Sequence, residues 1–201
     1  MNTARHLVTA ALMTIVTTIL LGIVYPLAVT IVAQVLFPHQ ANGSLIEASG
    51  RVVGSRLIGQ GFSKPGYFRA RPSATTTPYD AAHSAGSQLG PTNRKLVDAV
   101  TAHVELARKE NPGTPVPVDM VTTSASGFDP HITPANAAFQ LPRVARERGI
   151  SIGAVRALVE AYTSGRQLGF LGEPTVNVLE LNLALDRASP IRLQAVDPNQ
   201  R

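Results

Sequence analysis

Ser124, Ser126, Asp129 and His131 bring a hydroxyl, a carboxylate and an imidazole into eight consecutive residues. When such groups converge in space they make a nucleophile, an orienting acid and a general base. The surrounding sequence argues against convergence. A nucleophile elbow needs Gly-x-Ser-x-Gly, and neither serine has glycines two residues to each side. Ser126-Gly127-Phe128-Asp129-Pro130, leading into Thr133-Pro134, is also an ordinary turn and cap sequence in which Asp129 holds backbone amides. A hydrolase built on Ser126, Asp129 and His131 is the alternative reading, not the leading one.

Signatures for phosphate are weak. Gly61 and Gly66 have P-loop spacing, but Tyr67 follows where lysine is needed, and no Gly-x-Gly-x-x-Gly occurs. Ser84-Ala85-Gly86-Ser87-Gln88 is similar to the serine-glycine-glutamine signature of ABC-type ATPases, and backbone amides of such a loop can cradle a phosphate. Ser84, Gly86, Ser87 and Gln88 are thus candidate nucleotide contacts, set against a plain Gly/Ser turn. With no cysteine in the chain, a thiolate nucleophile, a disulfide framework and a Cys-ligated metal are excluded. The histidines at 6, 39, 83, 103 and 131 are scattered, so no metal site is expected. Tyr67, Phe68, Arg69 and Arg71 set aromatics beside guanidinium groups, which suits recognition of a carboxylate-bearing partner. A half-buried loop anchor with exposed arginines fits the same residues equally well. Asp129 and His131 join them as partner-surface candidates.

The elements that must position these residues are organised around Leu7–Phe37. Those 31 residues contain no Asp, Glu, Lys or Arg. A bilayer core about 30 Å thick needs about 20 apolar residues, and a backbone in lipid must satisfy its own hydrogen bonds, so a transmembrane helix is expected. The run is about twice the length of a signal-peptide core and lacks a small-x-small cleavage site, which favours a retained anchor. Thr14, Thr18 and Gly22 fall at four-residue steps and form a stripe for helix packing; Pro26 is expected to kink or soften the helix. Arg5 and the α-amino group flank one end and Glu47 the other, placing the N-terminus in the cytoplasm by the positive-inside rule.

The expected organisation is a short cytoplasmic N-terminus (1–6), a transmembrane helix (7–37), an α+β extracytoplasmic globular domain (42–188) and a loose C-terminal tail (189–201). The net charge of +5 is spread along the chain, with no basic run to suggest nucleic acid. Within the domain, a hairpin is expected over 44–58, turning at Ser49-Gly50, and a long loop over 62–91. Helices are expected over 93–109, from Thr133 to Gly149 with a break or bend at Pro142, and from Ser151 to near Gly165. Val116–Thr123 alternates like a strand. Residues 174–186 fit strand and helix alike.

Taken in order, these segments carry a family resemblance. Gly22-Ile-Val-Tyr25-Pro26, Phe37-Pro-His-Gln-Ala-Asn-Gly-Ser44 and Gly54-Ser-Arg-Leu-Ile-Gly-Gln-Gly-Phe62 are followed by Tyr67-Phe68, Arg71-Pro-Ser-Ala74 and Gln88-Leu-Gly-Pro-Thr-Asn93. Val121-Thr-Thr-Ser-Ala-Ser-Gly-Phe-Asp-Pro-His-Ile132, Arg143-Val-Ala145, Gly172-Glu-Pro-Thr-Val-Asn-Val178 and Leu181-Asn-Leu183 complete the series. The chain resembles the C subunit of the bacterial Kdp-type potassium-transporting P-type ATPase. It departs from the usual pattern at Phe128, Arg69-Ala70 and Gln88. The resemblance implies a non-catalytic accessory subunit of an ATP-driven, high-affinity potassium uptake complex in the inner membrane. Its implied partners are a channel-like potassium-binding subunit and an ATP-hydrolysing subunit. It further implies no cofactor of its own, and assistance to ATP binding by the hydrolysing subunit, with any ATP contact shared. That last role pulls against the charge-based orientation, since ATP is cytoplasmic.

Overall fold

The computed structural model describes residues 3–48 and 50–190, so the tail expected over 189–201 falls almost wholly outside the described residues. The chain divides into two compact units, Met1–Val53 and Gly54–Arg201.

In the first unit, α1 (Thr3–Ile19), a π-helical turn (Leu20–Val24) and α2 (Tyr25–Leu36) run on without a break. Together they make 34 residues, long and apolar enough to cross a membrane. At 1.5 Å per residue the rod is about 50 Å long, well beyond the hydrocarbon thickness. The π turn follows from Pro26. Proline brings no N–H, so the helix cannot keep its regular bonding there, and Tyr25 N–H instead reaches the Leu20 carbonyl five residues back. Pro26 therefore alters the winding of the helix rather than ending it. The hydroxyls of Thr14 and Thr30 bond the carbonyls of Ala10 (2.9 Å) and Pro26 (2.7 Å), which satisfies them without a partner helix. A methyl added to Gly22 would lie 3.9 Å from the Thr18 Cγ2, so those two residues share a face. The short α3 (Pro38–Ala41) follows, braced by the Asn42 side chain, which donates to the Pro38 carbonyl at 2.7 Å. β1 (Leu45–Ala48) then pairs with β2 (Arg51–Ser55). The second strand stops at Ser55, short of the expected Ile58, because the Ser55 hydroxyl accepts from Leu57 N–H and turns the chain.

The second unit is helical, around a small antiparallel sheet. α4 (Arg94–Glu110) and α5 (Val118–Val121) come first; β3 (His131–Ile132) leads into α6 (Pro134–Arg148). α7 (Ile152–Ala161), β4 (Thr163–Ser164), β5 (Thr175–Asn177) and α8 (Val178–Ala188) follow. β5 lies at the centre of the order β3-β5-β4, with Ile132 and Thr163 both opposite Val176. The core gathers Phe68, Ile132, Leu141, Val144, Val155, Val176, Leu181 and Leu185.

Local chemistry sets the boundaries. Asn93, Thr133, Ser151 and Asn177 each cap a helix by accepting a backbone N–H two or three residues on. Three expectations need correction. Val116–Thr123 is not a strand: Pro117 stands at the N-cap of α5, and the turn aims Asp119 at the start of α6, where its carboxylate accepts from Thr133 N–H (2.8 Å), Thr133 Oγ1 (3.0 Å) and Asn136 Nδ2 (3.0 Å). Pro142 does not divide α6, which runs unbroken through the proline and buries residues on both sides of it. α7 ends at Ala161 rather than near Gly165, and Thr163–Ser164 joins the sheet. The ambiguity over 174–186 resolves in sequence, strand to Asn177 and helix from Val178.

Candidate functional site

The long segment after Gly61 lies across the second unit as an extended strap. Phe68 is its anchor, 0% exposed in the core. Side-chain amides pair its backbone in place of a neighbouring strand. Asn182, on α8, accepts from Phe68 N–H and donates to the Phe68 carbonyl, both at 2.9 Å. Gln140, on α6, accepts from Arg69 N–H at 2.9 Å and donates to the Arg69 carbonyl at 3.0 Å. A side-chain amide offers the same donor and acceptor as a peptide, so buried backbone groups stay satisfied.

Two arginines tie down the turn before Phe68. Arg143 donates to the carbonyls of Pro65 and Tyr67, to Gln140 Oε1, and to Glu110 at 2.8 Å. Burial pulls the Arg143 pKa down, and the Glu110 carboxylate opposes that by favouring the cation. Arg148 donates to Gly66 O, Ser189 O and Asp186 Oδ1, and its guanidinium lies 4.7 Å from the centre of the Tyr67 ring. Tyr67 donates its hydroxyl to Asp186 Oδ2 at 3.0 Å; burial and that carboxylate raise the phenol pKa against the opposing pull of Arg148.

Of the aromatic–arginine group, then, Phe68 is core and Tyr67 is a half-buried member of this network. Arg69 reaches outward, whereas Arg71 folds back onto the domain. Arg69 meets Glu110 at 3.3 Å, at the rim of a cleft of about 540 Å³ walled by Phe62, Pro72, Tyr79, Leu106 and Met120. Arg71 bonds Asp129 Oδ2 at 3.3 Å and the Thr123 carbonyl at 3.2 Å, fastening the strap to the 122–129 turn. Tyr79 donates its hydroxyl to the Arg71 carbonyl; burial, then the Asp129 charge, pushes its pKa up to about 12.

The 122–129 turn holds the candidate triad. Ser126 Oγ accepts from Phe128 N–H (3.4 Å), Asp129 Oδ1 accepts from His131 N–H (3.0 Å), and His131 Nδ1 stands 3.8 Å from that carboxylate. Among the described residues Ser126 and His131 share no hydrogen bond, so acid and base are neighbours while the nucleophile faces its own turn.

The Ser84–Gln88 loop lies against the same turn. Ala85 N–H and the Ser84 hydroxyl both donate to the Ser126 carbonyl, at 3.1 Å each. A Cβ at Gly86 would stand 2.9 Å from the Ala125 carbonyl, and one at Gly127, where φ is +82°, 2.9 Å from the Ala85 carbonyl. Both glycines are thus required for the two loops to touch. Between Gly86–Gln88 and Thr123–Ala125 a shallow cleft of about 360 Å³ remains. Among the described residues no group of three or more His, Asp or Glu is placed to hold a metal.

Sequence reasoning missed Glu110, Asp119, Gln140, Arg143, Arg148 and Asn182. Their signal was present: Asn136, Gln140 and Arg143 recur at helical spacing on the face that also carries Phe139 and Val144, and Asn182 sits among alternating leucines. Polar residues at core positions mark backbone that must be paired from the side.

The sequence that builds this arrangement matches a known family. A family model described as "K+-transporting ATPase, c chain" matches residues 7–187. The chain belongs to the KdpC family. It is 59% identical over 187 residues to a protein of Koribacter versatilis named "Potassium-transporting ATPase KdpC subunit", covering 93% of this chain and 97% of that one. A protein of the same name from Methylococcus capsulatus is 56% identical over 185 residues, covering 90% and 97%. The match takes in the apolar helix, the strap and the 122–129 turn alike. As a KdpC chain it is a subunit of a potassium-transporting P-type ATPase.

Proposed function

We propose that this chain is the non-catalytic accessory subunit of an ATP-driven potassium uptake complex, holding that complex together and assisting ATP turnover by the hydrolysing subunit. One observation carries the reading beyond family membership: the hydroxyl and carboxylates with catalytic chemistry are engaged by the domain's own turn amides and guanidinium groups. Ser126 and Asp129 hold turn amides, Asp129 also takes Arg71, and Glu110 takes Arg69 and Arg143. A domain so internally satisfied presents shape to its partners rather than a reactive group.

Its partners in this reading are the channel-like potassium-binding subunit and the ATP-hydrolysing subunit, with the apolar helix packed among theirs through the Thr14, Thr18 and Gly22 face. The domain stands outside the cytoplasm, on the flanking charges of the helix. ATP then belongs to the hydrolysing subunit. Assistance to its binding travels through the assembled complex, and Ser84–Gln88 is the segment to probe for a shared contact. The cleft there is near the lower bound for a small-molecule pocket.

The test is purification of the complex with this chain tagged, and again with its gene deleted. Co-elution of both large subunits, together with collapse of potassium-stimulated ATP hydrolysis on deletion, is the expected result. A chain that elutes alone while potassium uptake survives its deletion overturns the reading, and ester hydrolysis lost on Ser126→Ala would then point to a membrane-anchored hydrolase.

A further inference from the structure

Between β4 and β5 the chain makes a short loop, Arg166–Glu173, whose tip is apolar and exposed. Leu168 is 82% exposed, more than any other large apolar residue described, including those of the membrane helix; Phe170 is 69% and Leu171 48% exposed. Water-facing apolar residues are common singly, but three within four positions form a patch. The loop is also built to hold its shape. Gln167 and Leu171 exchange both backbone hydrogen bonds at 2.9 Å, and Phe170 N–H bonds the Gln167 carbonyl at 3.2 Å. Leu168 and Gly169 both take positive φ, +52° and +81°, the pattern of a tight hairpin turn that a leucine rarely occupies. At the base, one Arg166 nitrogen reaches both Glu173 oxygens at 2.8 Å.

We propose that this loop is a docking finger that seats Leu168 and Phe170 in an apolar, uncharged pocket on another subunit of the potassium-transporting ATPase. The proposal rests on the subunit reading above. Charge selects a protein over a lipid surface. Loops that settle on membranes add basic residues to their apolar tip, whereas Arg166 and Glu173 are the loop's only charges and cancel each other. Shape points the same way. A projecting tip held by its own hydrogen bonds enters a concave partner with little ordering left to do, which is how preformed anchors concentrate binding.

The experiment replaces Phe170 with the photoreactive p-benzoylphenylalanine in the full chain, assembled with its operon partners and illuminated in native membranes. An adduct with another ATPase subunit, identified by mass, is expected. An adduct only with lipid, with a second copy of this chain or within the chain overturns the proposal, as does an assembled complex with no adduct. In parallel, Leu168→Ser/Phe170→Ser should retain the other subunits at least about tenfold less well through a detergent wash, with the thermal melt of the chain unchanged. Equal retention by variant and wild type overturns the docking finger alone. A wild-type chain that retains no subunit overturns the subunit reading as well, so the two failures are distinguishable.

Discussion

Arg143 meets Glu110 and Arg166 meets Glu173 at the same 2.8 Å, yet the side chains are 6% and 14% exposed in the first pair and 45% and 72% in the second. Around Arg143 three further N–H groups have protein acceptors: two strap carbonyls and the Gln140 amide oxygen. Around Arg166, water is available to whichever partner is removed. Distance alone therefore says little about what an ion pair contributes. Burial decides whether its loss leaves an uncompensated charge. One pair organises the interior of the domain, and the other trims the charge of a surface loop.

Glu110→Ala gives the largest expected effect, because it strands the Arg143 guanidinium at a site where solvent barely reaches. Removing one partner of a buried pair costs about 3–5 kcal/mol, and here it also leaves Arg69 and Arg143 as neighbouring like charges. Urea unfolding of the detergent-solubilised chain should show it. A midpoint equivalent to a loss under about 1 kcal/mol would mean that the cluster is ornamental to stability. Asn182→Ala ranks next. It leaves the Phe68 N–H and carbonyl without their amide, each orphaned group costing about 1–3 kcal/mol. Faster exchange of the Phe68 amide proton, alongside lost stability, would tie the effect to the strap. An unchanged exchange rate would break that link.

Legibility of the fold from the sequence follows the same division. The helices at 94–110, 134–148 and 152–161 were readable because each has a period and a side-chain cap, Asn93, Thr133 or Ser151. The long apolar helix was readable because lipid allows few alternatives. The two-residue strands β3 and β4 were not, since they exist only through pairing with β5 from far along the chain. Nor was α5, where alternation in Val116–Thr123 suggested a strand and Pro117 with Asp119 decided for a helical turn. At the candidate site, Tyr67, Arg69, Arg71 and Asp129 were visible by type; Arg71 and Asp129 pair with each other, while Tyr67 turns to Asp186 and Arg69 to Glu110. Gln140, Asn182 and Arg143 lie more than 70 residues from the strap they hold, and no local rule points across such a distance.

A milder test falls on Tyr79, which joins strap to turn through its buried hydroxyl. Its folded pKa of about 12 stands above the ordinary 10, so the folded state binds the phenolic proton more tightly. The resulting stability is fully present below pH 10 and is lost as pH rises through about 12. Tyr79→Phe should flatten that alkaline decline while lowering stability somewhat at neutral pH through the lost bond to the Arg71 carbonyl. Parallel unfolding curves for wild type and variant between pH 9.5 and about 12 check it. Identical slopes would mean that the phenol titrates as if in water.

Glu173→Ala is the smallest effect and the one that sharpens the comparison most, because it is the Glu110 substitution repeated where the pair faces water. Exposed pairs contribute about 0–1 kcal/mol, and salt screens them further. The loop keeps its backbone hydrogen bonds in the variant, since none runs through the Glu173 carboxylate. Stability measured by urea should therefore stay within about 1 kcal/mol of wild type, and the small difference should shrink in high salt. Association is where this charge should register. Freeing Arg166 puts a positive charge beside Leu168 and Phe170, so a pocket that is apolar and uncharged should hold the variant less well, and anionic vesicles should hold it better. Weaker retention of the ATPase subunits with unchanged folding would assign the pair to binding. A loss of stability as large as that of Glu110→Ala would show instead that the loop is part of the folded core, and that burial had misjudged the two arginines.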